Sequence, residues 1–263
     1  MQKGNNHTPI LKFDSLNSGY HRKIVVCNAS ATVDKPGVIA LVGANGCGKS
    51  TLLKTISGEQ KPISGDVYIT GKSLSAMSGR ELSNKVAIVT SNSEIAGGGL
   101  SVRQLVSLGR QPYTGFYGRL SRHDNEIINL AMEATGISRK QDDYVATLSD
   151  GERQKTMIAR ALAQQTPVLL LDEPFSFLDP AAKIEIFSML NKLATTENKL
   201  IILSTHDIAQ ALRMASMLWI ITEGKFASLT PAEAINSGII NDLYHSRNAV
   251  FDPATGDFIL NDK

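Results

Sequence analysis

Gly43-Ala44-Asn45-Gly46-Cys47-Gly48-Lys49-Ser50-Thr51 reads G-x-x-x-x-G-K-[ST], the pattern of a phosphate-binding loop. Glycines at 43, 46 and 48 let the backbone bend without Cβ clashes and come close to an anion. Bent in this way, the loop turns successive N–H groups toward one point. A helix starting near Gly48 and Lys49 adds its positive dipole end to that point. Lys49 brings a mobile point charge to the β- and γ-phosphates, and Ser50 brings a hydroxyl oxygen suited to Mg²⁺. Upstream, Gly37-Val38-Ile39-Ala40-Leu41-Val42 is an apolar, β-branched run, a buried strand feeding the loop. Downstream, Leu52 to Ile56 continue as a helix that Gly58 ends.

At 263 residues the chain is long enough for one large α/β domain or two small ones. A net charge of +2 gives no basic tail for nucleic acid and no preference for an acidic substrate. Cys27 and Cys47 have no metal or redox spacing, and a disulfide at Cys47 would distort the loop, so a reducing compartment is expected. Met1 to Pro9 is polar and lacks the apolar stretch of a signal peptide. No apolar run reaches the roughly 18–20 residues that span a bilayer. Membrane work therefore requires other chains.

Along the chain, Ile10 to Tyr20 reads as a strand leading to a turn at Ser18-Gly19, and Ile24-Val25-Val26 as a second β segment. Asp66 to Gly71 alternates as a strand, and Val86 to Val89 is a buried one. Gly97-Gly98-Gly99 forms a glycine-rich connector. Ser101 is an N-cap for a helix over Val102 to Gly109. Arg110 to Gly118 is a loop rich in aromatic and basic residues, and Asp124 to Thr135 is a second helix. Ser149, with Glu152 three residues on, makes a capping box for a helix running to Ala163. Strands follow at Val168 to Leu171, Leu200 to Leu203 and Met217 to Thr222, with helices at Lys183 to Ala194 and Asp207 to Met214. Asp252 to Asp257 is a hairpin-like turn.

Four of the apolar strands end in polar residues: at Gly43, near Ser91, at Asp172-Glu173 and at His206. Ligands of open α/β sheets bind at the carboxyl ends of the strands. Asp172 is placed to order Mg²⁺ through its water shell, and Glu173 to orient a water toward the γ-phosphate. The bland reading of the pair is two solvated acids in a turn. A lone histidine is more often a cap or surface residue, but Thr205 or Asp207 can do the capping, and the strand-end position of His206 favours a hydrogen-bond donor to the γ-phosphate. Tyr20 either stacks on a base or sits half-buried at a sheet edge. Ser149-Asp150-Gly151-Glu152 opens a helix and is a second anion site, although one nucleotide already has a complete phosphate cradle. The economical explanation is that it clamps the nucleotide of a second copy.

This ordered set resembles the nucleotide-binding subunit of an ABC transporter. Gly43 to Thr51 matches Walker A, Leu148 to Gln154 resembles the family signature with Asp150 where Gly is commoner, and Leu169 to Pro174 matches Walker B. Phe177-Leu178-Asp179 resembles the D-loop, Thr205-His206-Asp207 the switch histidine, and Tyr20 the base-stacking aromatic. The resemblance implies an α/β P-loop NTPase core with an antiparallel β edge and an inserted helical subdomain. The expected division is a core over 1–92 and 165–225, a helical subdomain over 93–164 and a C-terminal extension over 226–263. It also implies ATP and Mg²⁺ as cofactors. Glu173 and His206 would then be catalytic, and Ser50, Asp172 and Ser91 would hold the metal. Nucleotide would be bound by Tyr20, Gly43, Ala44, Asn45, Gly46, Cys47, Gly48, Lys49, Ser50, Thr51, Ser149, Gly151, Gln154 and Asp179.

The implied partners are a second copy, a multi-span permease at the cytoplasmic face of the cell membrane and, indirectly, a solute-binding protein. Arg110 to Tyr117 and the connector over 91–99 would meet the permease. Leu108-Gly109-Arg110-Gln111-Pro112-Tyr113 further resembles the ATPases of iron-siderophore, haem and cobalamin importers. One departure stands out. The family carries Gln after the strand Val86 to Val89, where this chain has Thr90-Ser91-Asn92-Ser93. Ser91 takes that place with a shorter reach, which bears on the Mg²⁺ contact and on coupling rather than on ATP binding. The alternative class is a soluble ABC-type ATPase without a permease, of the cluster-assembly type; a non-hydrolysing nucleotide-binding module is the other.

Overall fold

A computed structural model describes residues 8–21, 23–90, 99–114, 118–243, 249–252 and 255–260. In chain order the elements begin with β1 (Leu11–Tyr20), β2 (Lys23–Val33), β3 (Gly37–Gly43), α1 (Lys49–Ile56), β4 (Ser64–Ile69) and β5 (Lys72–Ser73). The middle of the chain holds α2 (Gly79–Ser83), β6 (Val86–Val89), α3 (Val102–Ser107), α4 (Arg122–Ala134), α5 (Asp150–Ala163), β7 (Val168–Leu171) and α6 (Pro180–Thr196). Then come β8 (Leu200–Thr205), α7 (Ile208–Met214), β9 (Met217–Thr222), β10 (Lys225–Leu229), α8 (Pro231–Ser237), β11 (Ala249–Asp252) and β12 (Asp257–Leu260). The chain divides into two compact units, Met1–Met77 with Ile202–Lys263, and Ser78–Ile201.

In the first unit the strands lie in the order β5-β4-β1-β2-β10-β9-β3-β8. β1 pairs antiparallel with both β2 and β4, whereas β3 pairs parallel with β9. β3 is buried from Val38 to Val42, as an interior strand of near-continuous apolar residues must be. The core of this unit contains Phe13, Trp219 and Phe226, whose rings meet edge to face with centroids 5.2–5.6 Å apart. The expected turn at Ser18-Gly19 is instead part of β1, which runs on to Tyr20. Gly19 is required there because a Cβ would stand 1.9 Å from the Lys23 carbonyl oxygen. The C-terminal turn falls between β11 and β12, paired from Asp252↔Asp257 to Ala249↔Leu260.

The second unit sets β6 and β7 side by side in parallel, from Val86↔Val168 to Val89↔Leu171. Its helices bury one stripe each, Ile127, Ile128, Ala131 and Met132 on α4 and Met157, Ile158, Ala161 and Leu162 on α5. Capping boxes start four of them: Ser78 with Glu81, Ser101 with Gln104, Ser121 with Asp124, and Ser149 with Glu152. The helix expected to reach Gly109 ends at Ser107 and tightens into a 3₁₀ turn, Leu108–Arg110. α6 starts at Pro180, three residues before the expected Lys183, because Asp179 caps it and Pro180 fits its first turn.

Arg110 corrects the sequence reading. It was expected on a loop facing a partner, yet it is 2 % exposed. Its guanidinium donates to Asp124 Oδ1 at 2.8 Å, to the Ala163 carbonyl at 2.7 Å and to Gln165 Oε1 at 2.8 Å. It also lies 3.9 Å from the Tyr113 ring centroid. Arg110 is therefore an internal anchor of the helical stretch. Of its loop companions, Tyr113 is partly exposed, and 115–117 lie outside the described residues, as do 91–98 with Ser91 and most of the glycine connector.

Candidate functional site

The phosphate loop sits in the first unit, between β3 and α1. Gly46 and Gly48 take φ of +78° and +113°, a region closed to most side-chain-bearing residues. A Cβ on Gly48 would stand 2.7 Å from Val26 Cγ2 and 2.8 Å from Val25 Cγ1. The two valines of β2 thus form the floor under the loop, a role their sequence position did not suggest. A Cβ on Gly43 would meet Cys47 Sγ at 2.5 Å and the Ile221 carbonyl oxygen at 2.6 Å. Gly46 has open space around it, so its backbone conformation alone calls for glycine.

Lys49 is 5 % exposed and folds back over the loop. Its Nζ donates to the Gly43 carbonyl at 2.9 Å and to the Ala44 carbonyl at 3.1 Å. No side chain caps α1, whose N-cap is Gly48. The first-turn N–H groups therefore depend on an acceptor from outside the helix. Ser50 is exposed at this end, Thr51 is buried, and Ala44 and Asn45 are exposed. Burial pushes the Cys47 thiol up from its ordinary range, against the opposing charge of Lys49, so it is a poor nucleophile. Tyr20 is 47 % exposed near the end of the β1–β2 hairpin, the same hairpin whose Val25 and Val26 underlie the loop. Exposure of this degree leaves its ring open to stacking.

His206 is exposed and follows β8, the strand beside β3. Capping of α7 falls to Asp207, whose Oδ1 accepts from Gln210 N at 2.9 Å. Asp207 N in turn donates to Thr205 Oγ1 at 3.0 Å. The imidazole is thus not the helix cap.

The second unit carries the acidic residues. Asp172 N donates to the Val89 carbonyl at 2.8 Å, which extends the β6–β7 ladder by one residue and fixes the buried Asp172 at the strand end. Glu173 then takes φ +48°, unusual for a residue with a side chain. Its Oε2 accepts from Ser176 Oγ at 3.1 Å, and its carbonyl from Ser176 N at 3.2 Å. Ser176, which sequence reading did not single out, thus holds the Glu173 carboxylate and turn. Phe177, also left-handed at φ +66°, is 90 % exposed. Asp179 Oδ1 accepts from Ala182 N at 2.8 Å, so its carboxylate is engaged in capping α6.

At the start of α5 the two halves of the box close on each other. Ser149 Oγ accepts from Glu152 N at 3.3 Å, and Glu152 Oε2 accepts from Ser149 N at 3.0 Å. These bonds hold the Glu152 carboxyl below its ordinary range, with Lys140 adding to the effect. Asp150 pairs with Arg153 at 3.0 Å. Gly151 is helical, and a Cβ there would find only Ala182 Cβ at an ordinary 3.6 Å. Gln154 is half-buried one turn further on.

Ser50, in the first unit, offers a hydroxyl oxygen and Asp172, in the second, a carboxylate, each a hard donor of the kind divalent cations prefer. Among the described residues no group of three or more His, Cys, Asp or Glu is placed to hold a metal ion.

A family model described as "ABC transporter" matches residues 26–176. An uncharacterized ABC transporter ATP-binding protein of Methanocaldococcus jannaschii is 38 % identical over 252 residues, covering 95 % of this chain and 87 % of that one. The iron(3+)-hydroxamate import ATP-binding protein FhuC of Bacillus subtilis is 35 % identical over 262 residues, covering 96 % and 97 %. Among solved structures, a metal-chelate type ABC transporter in an inward-facing conformation superposes with a TM-score of 0.80 at 24 % identity, covering 95 % of each chain. That likeness concerns the fold.

Proposed function

The chain belongs to the ABC transporter family of ATP-binding subunits, and from that premise we propose that two copies of it power the import of a metal chelate of the iron-siderophore type. As a member, it hydrolyses ATP to drive transport in a complex with a permease. Among the described residues no helix is long and apolar enough to cross a membrane. The subunit then works as a peripheral protein at the cytoplasmic face, with a solute-binding protein delivering the chelate. The hydroxamate-import relative, matched over nearly the full length of both chains, supports this solute class.

In this reading the phosphates occupy the loop Gly43 to Thr51. The uncapped start of α1 supplies N–H donors there and Lys49 exchanges its carbonyl partners for phosphate oxygens. Tyr20 stacks on the base. Ser50, Asp172 and Ser91 would hold Mg²⁺, which when bound neutralises charge on the phosphates. Glu173, kept in its left-handed turn by Ser176, accepts a hydrogen bond from the attacking water and so directs it. His206 donates to the γ-phosphate. Ser149, Gly151 and Gln154 close on the nucleotide of the opposite copy, near its Asp179.

The observation that carries the two-copy reading is Gly151. Packing within its own unit leaves room for a Cβ, and a helix loses stability with glycine in place of alanine. A close approach from outside supplies the reason for it. The test is the ATPase rate per chain, with Mg²⁺, as a function of chain concentration, for wild type and Glu173→Gln. A rate that rises with concentration is expected. The variant should lose about 10²–10⁴-fold in turnover, retain ATP binding and accumulate as a dimer. A monomeric Glu173→Gln chain with full activity would falsify the shared site.

A further inference from the structure

α7 follows almost directly on His206, so the seat of this helix sets where the imidazole stands. By its own means that seat is weak. α7 has seven residues, too few to persist as a helix without tertiary support, and it buries only Ile208 and Ala211. Gln210 is half-buried, and its Oε1 is shut off from water with no hydrogen-bond donor among the described residues. An acceptor left in this state disfavours the position that buries it. Something else must hold the helix in place.

The far end of α7 is gripped from a distant part of the chain. Arg213, in the last turn, donates from Nη2 to the Thr255 carbonyl at 3.1 Å, across 42 residues of sequence. The bond is charge-assisted, and it sets a cation where the helix carbonyls end. Its acceptor is fixed by the turn between β11 and β12. There Gly256 N donates to the Asp252 carbonyl at 2.8 Å, and Thr255 Oγ1 donates to Asp252 Oδ2 at 3.0 Å. The hairpin is itself anchored. Phe251 is buried, its ring meets that of Phe258 with centroids 5.6 Å apart, and its N–H donates to Asn241 Oδ1 at 2.8 Å. Asn241 opens a 3₁₀ turn to Leu243 that packs against β9, and β9 pairs with β3, the strand that feeds the phosphate loop. Every member of this chain of contacts lies in the first unit.

We propose that Arg213 is a positioning residue for ATP hydrolysis and that the C-terminal hairpin acts through it as a clasp on α7, fixing His206 relative to the phosphate loop. The proposal rests on the reading of His206 as the donor to the γ-phosphate. β3 and β9 carry the loop at one end, and through Asn241 and the hairpin they also carry the Thr255 carbonyl that holds α7. The phosphate cradle and the imidazole are thereby referred to one frame, although they stand on separate loops. A catalytic group must be held closely to be effective, and a short helix with two buried positions does not supply that by itself.

The test measures ATPase activity at saturating MgATP, and ATP affinity, for the full-length chain purified in complex with its membrane subunit. Arg213→Ala should lower kcat about 5–20-fold, with ATP affinity and thermal midpoint close to wild type. Arg213→Lys keeps a donor and a charge and should recover most of that loss. In a His206→Ala background, Arg213→Ala should cause no further loss, because the group that it positions is gone. Should Arg213→Ala fold poorly, Thr255→Val keeps the shape of the turn, frees its carbonyl from the Asp252 bond and should lower kcat about 2–5-fold. Wild-type kcat in Arg213→Ala and Thr255→Val, beside an impaired His206→Ala, overturns the clasp and leaves the reading of His206 intact. Losses that multiply in the double variant also overturn it, since Arg213 then acts by a route other than His206. Wild-type turnover in His206→Ala overturns both.

Discussion

The starts of α1 and α5 are both glycine-bearing helix N-termini, and they are built on opposite plans. At α1 the glycine is the N-cap itself, no side chain caps the helix, and two valines of β2 exclude a Cβ from Gly48. At α5 a complete Ser149–Glu152 box satisfies the end from within, and Gly151 is not demanded by any neighbour in its unit. The first end is left incomplete for a ligand and cannot be altered without disturbing the unit around it. The second is closed by its own box, and on the proposed two-copy reading its glycine answers to the opposite copy. On that reading stability and function are merged at one glycine and separated at the other.

Gly48→Ala is expected to have the largest effect. A left-handed alanine at φ +113° pressed against Val25 and Val26 should cost about 3 kcal/mol and abolish ATP binding. Urea unfolding and nucleotide titration read the two losses together, and an unchanged midpoint would show that the valine floor yields. Ser149→Ala should cost about 1 kcal/mol, the usual worth of an N-cap, in the same unfolding assay. A much larger loss would mean that α5 is no more self-contained than α1. Gly151→Ala should leave stability unchanged or raise it by about 0.5–1 kcal/mol, while ATPase activity falls. Retained activity together with raised stability would remove the reason given for that glycine.

The smallest effect concerns pH and uses the related box at α4 as an internal reference. Hydrogen bonds from the Ser121 hydroxyl and backbone, with Arg110 beside them, bring Asp124 down from 3.8 to about 2. Its folded value lies below its unfolded one, so the stabilisation is complete above about pH 4 and is lost as pH falls toward 2. Glu152 is lowered in the same direction and should weaken α5 as the solution is acidified. Unfolding curves from pH 6 to about 2 for wild type and Asp124→Asn check this, since the variant should lose much of the acid-side slope.

Much of the site was legible because its signals are local. The spacing of Gly43, Gly46, Gly48 and Lys49 prescribes the loop, the apolar run before it prescribes β3, and Ser149 with Glu152 prescribes a helix start. α2, β10 and α8 escaped. α2 is five residues long, and β10 has little alternation of its own, its register being set by antiparallel pairing with β9 from Lys225↔Thr222 to Leu229↔Leu218. The turn at Ser18-Gly19 misled for a related reason. Glycine there serves the close approach of β2, a contact that the residues beside it do not encode.

Sequence alone thus determined the local pattern: which glycines bend, which lysine and hydroxyl stand at the loop, and which carboxylates end a buried strand. Those choices follow from backbone sterics and residue type over a few neighbouring positions. Tertiary structure decided which way the charged side chains are committed. It turned Arg110 inward onto Asp124 and placed Val25 and Val26 beneath Gly48. A side chain's partner is fixed by residues that fold against it from far along the chain. The worth of a charge depends on how that folding removes it from water.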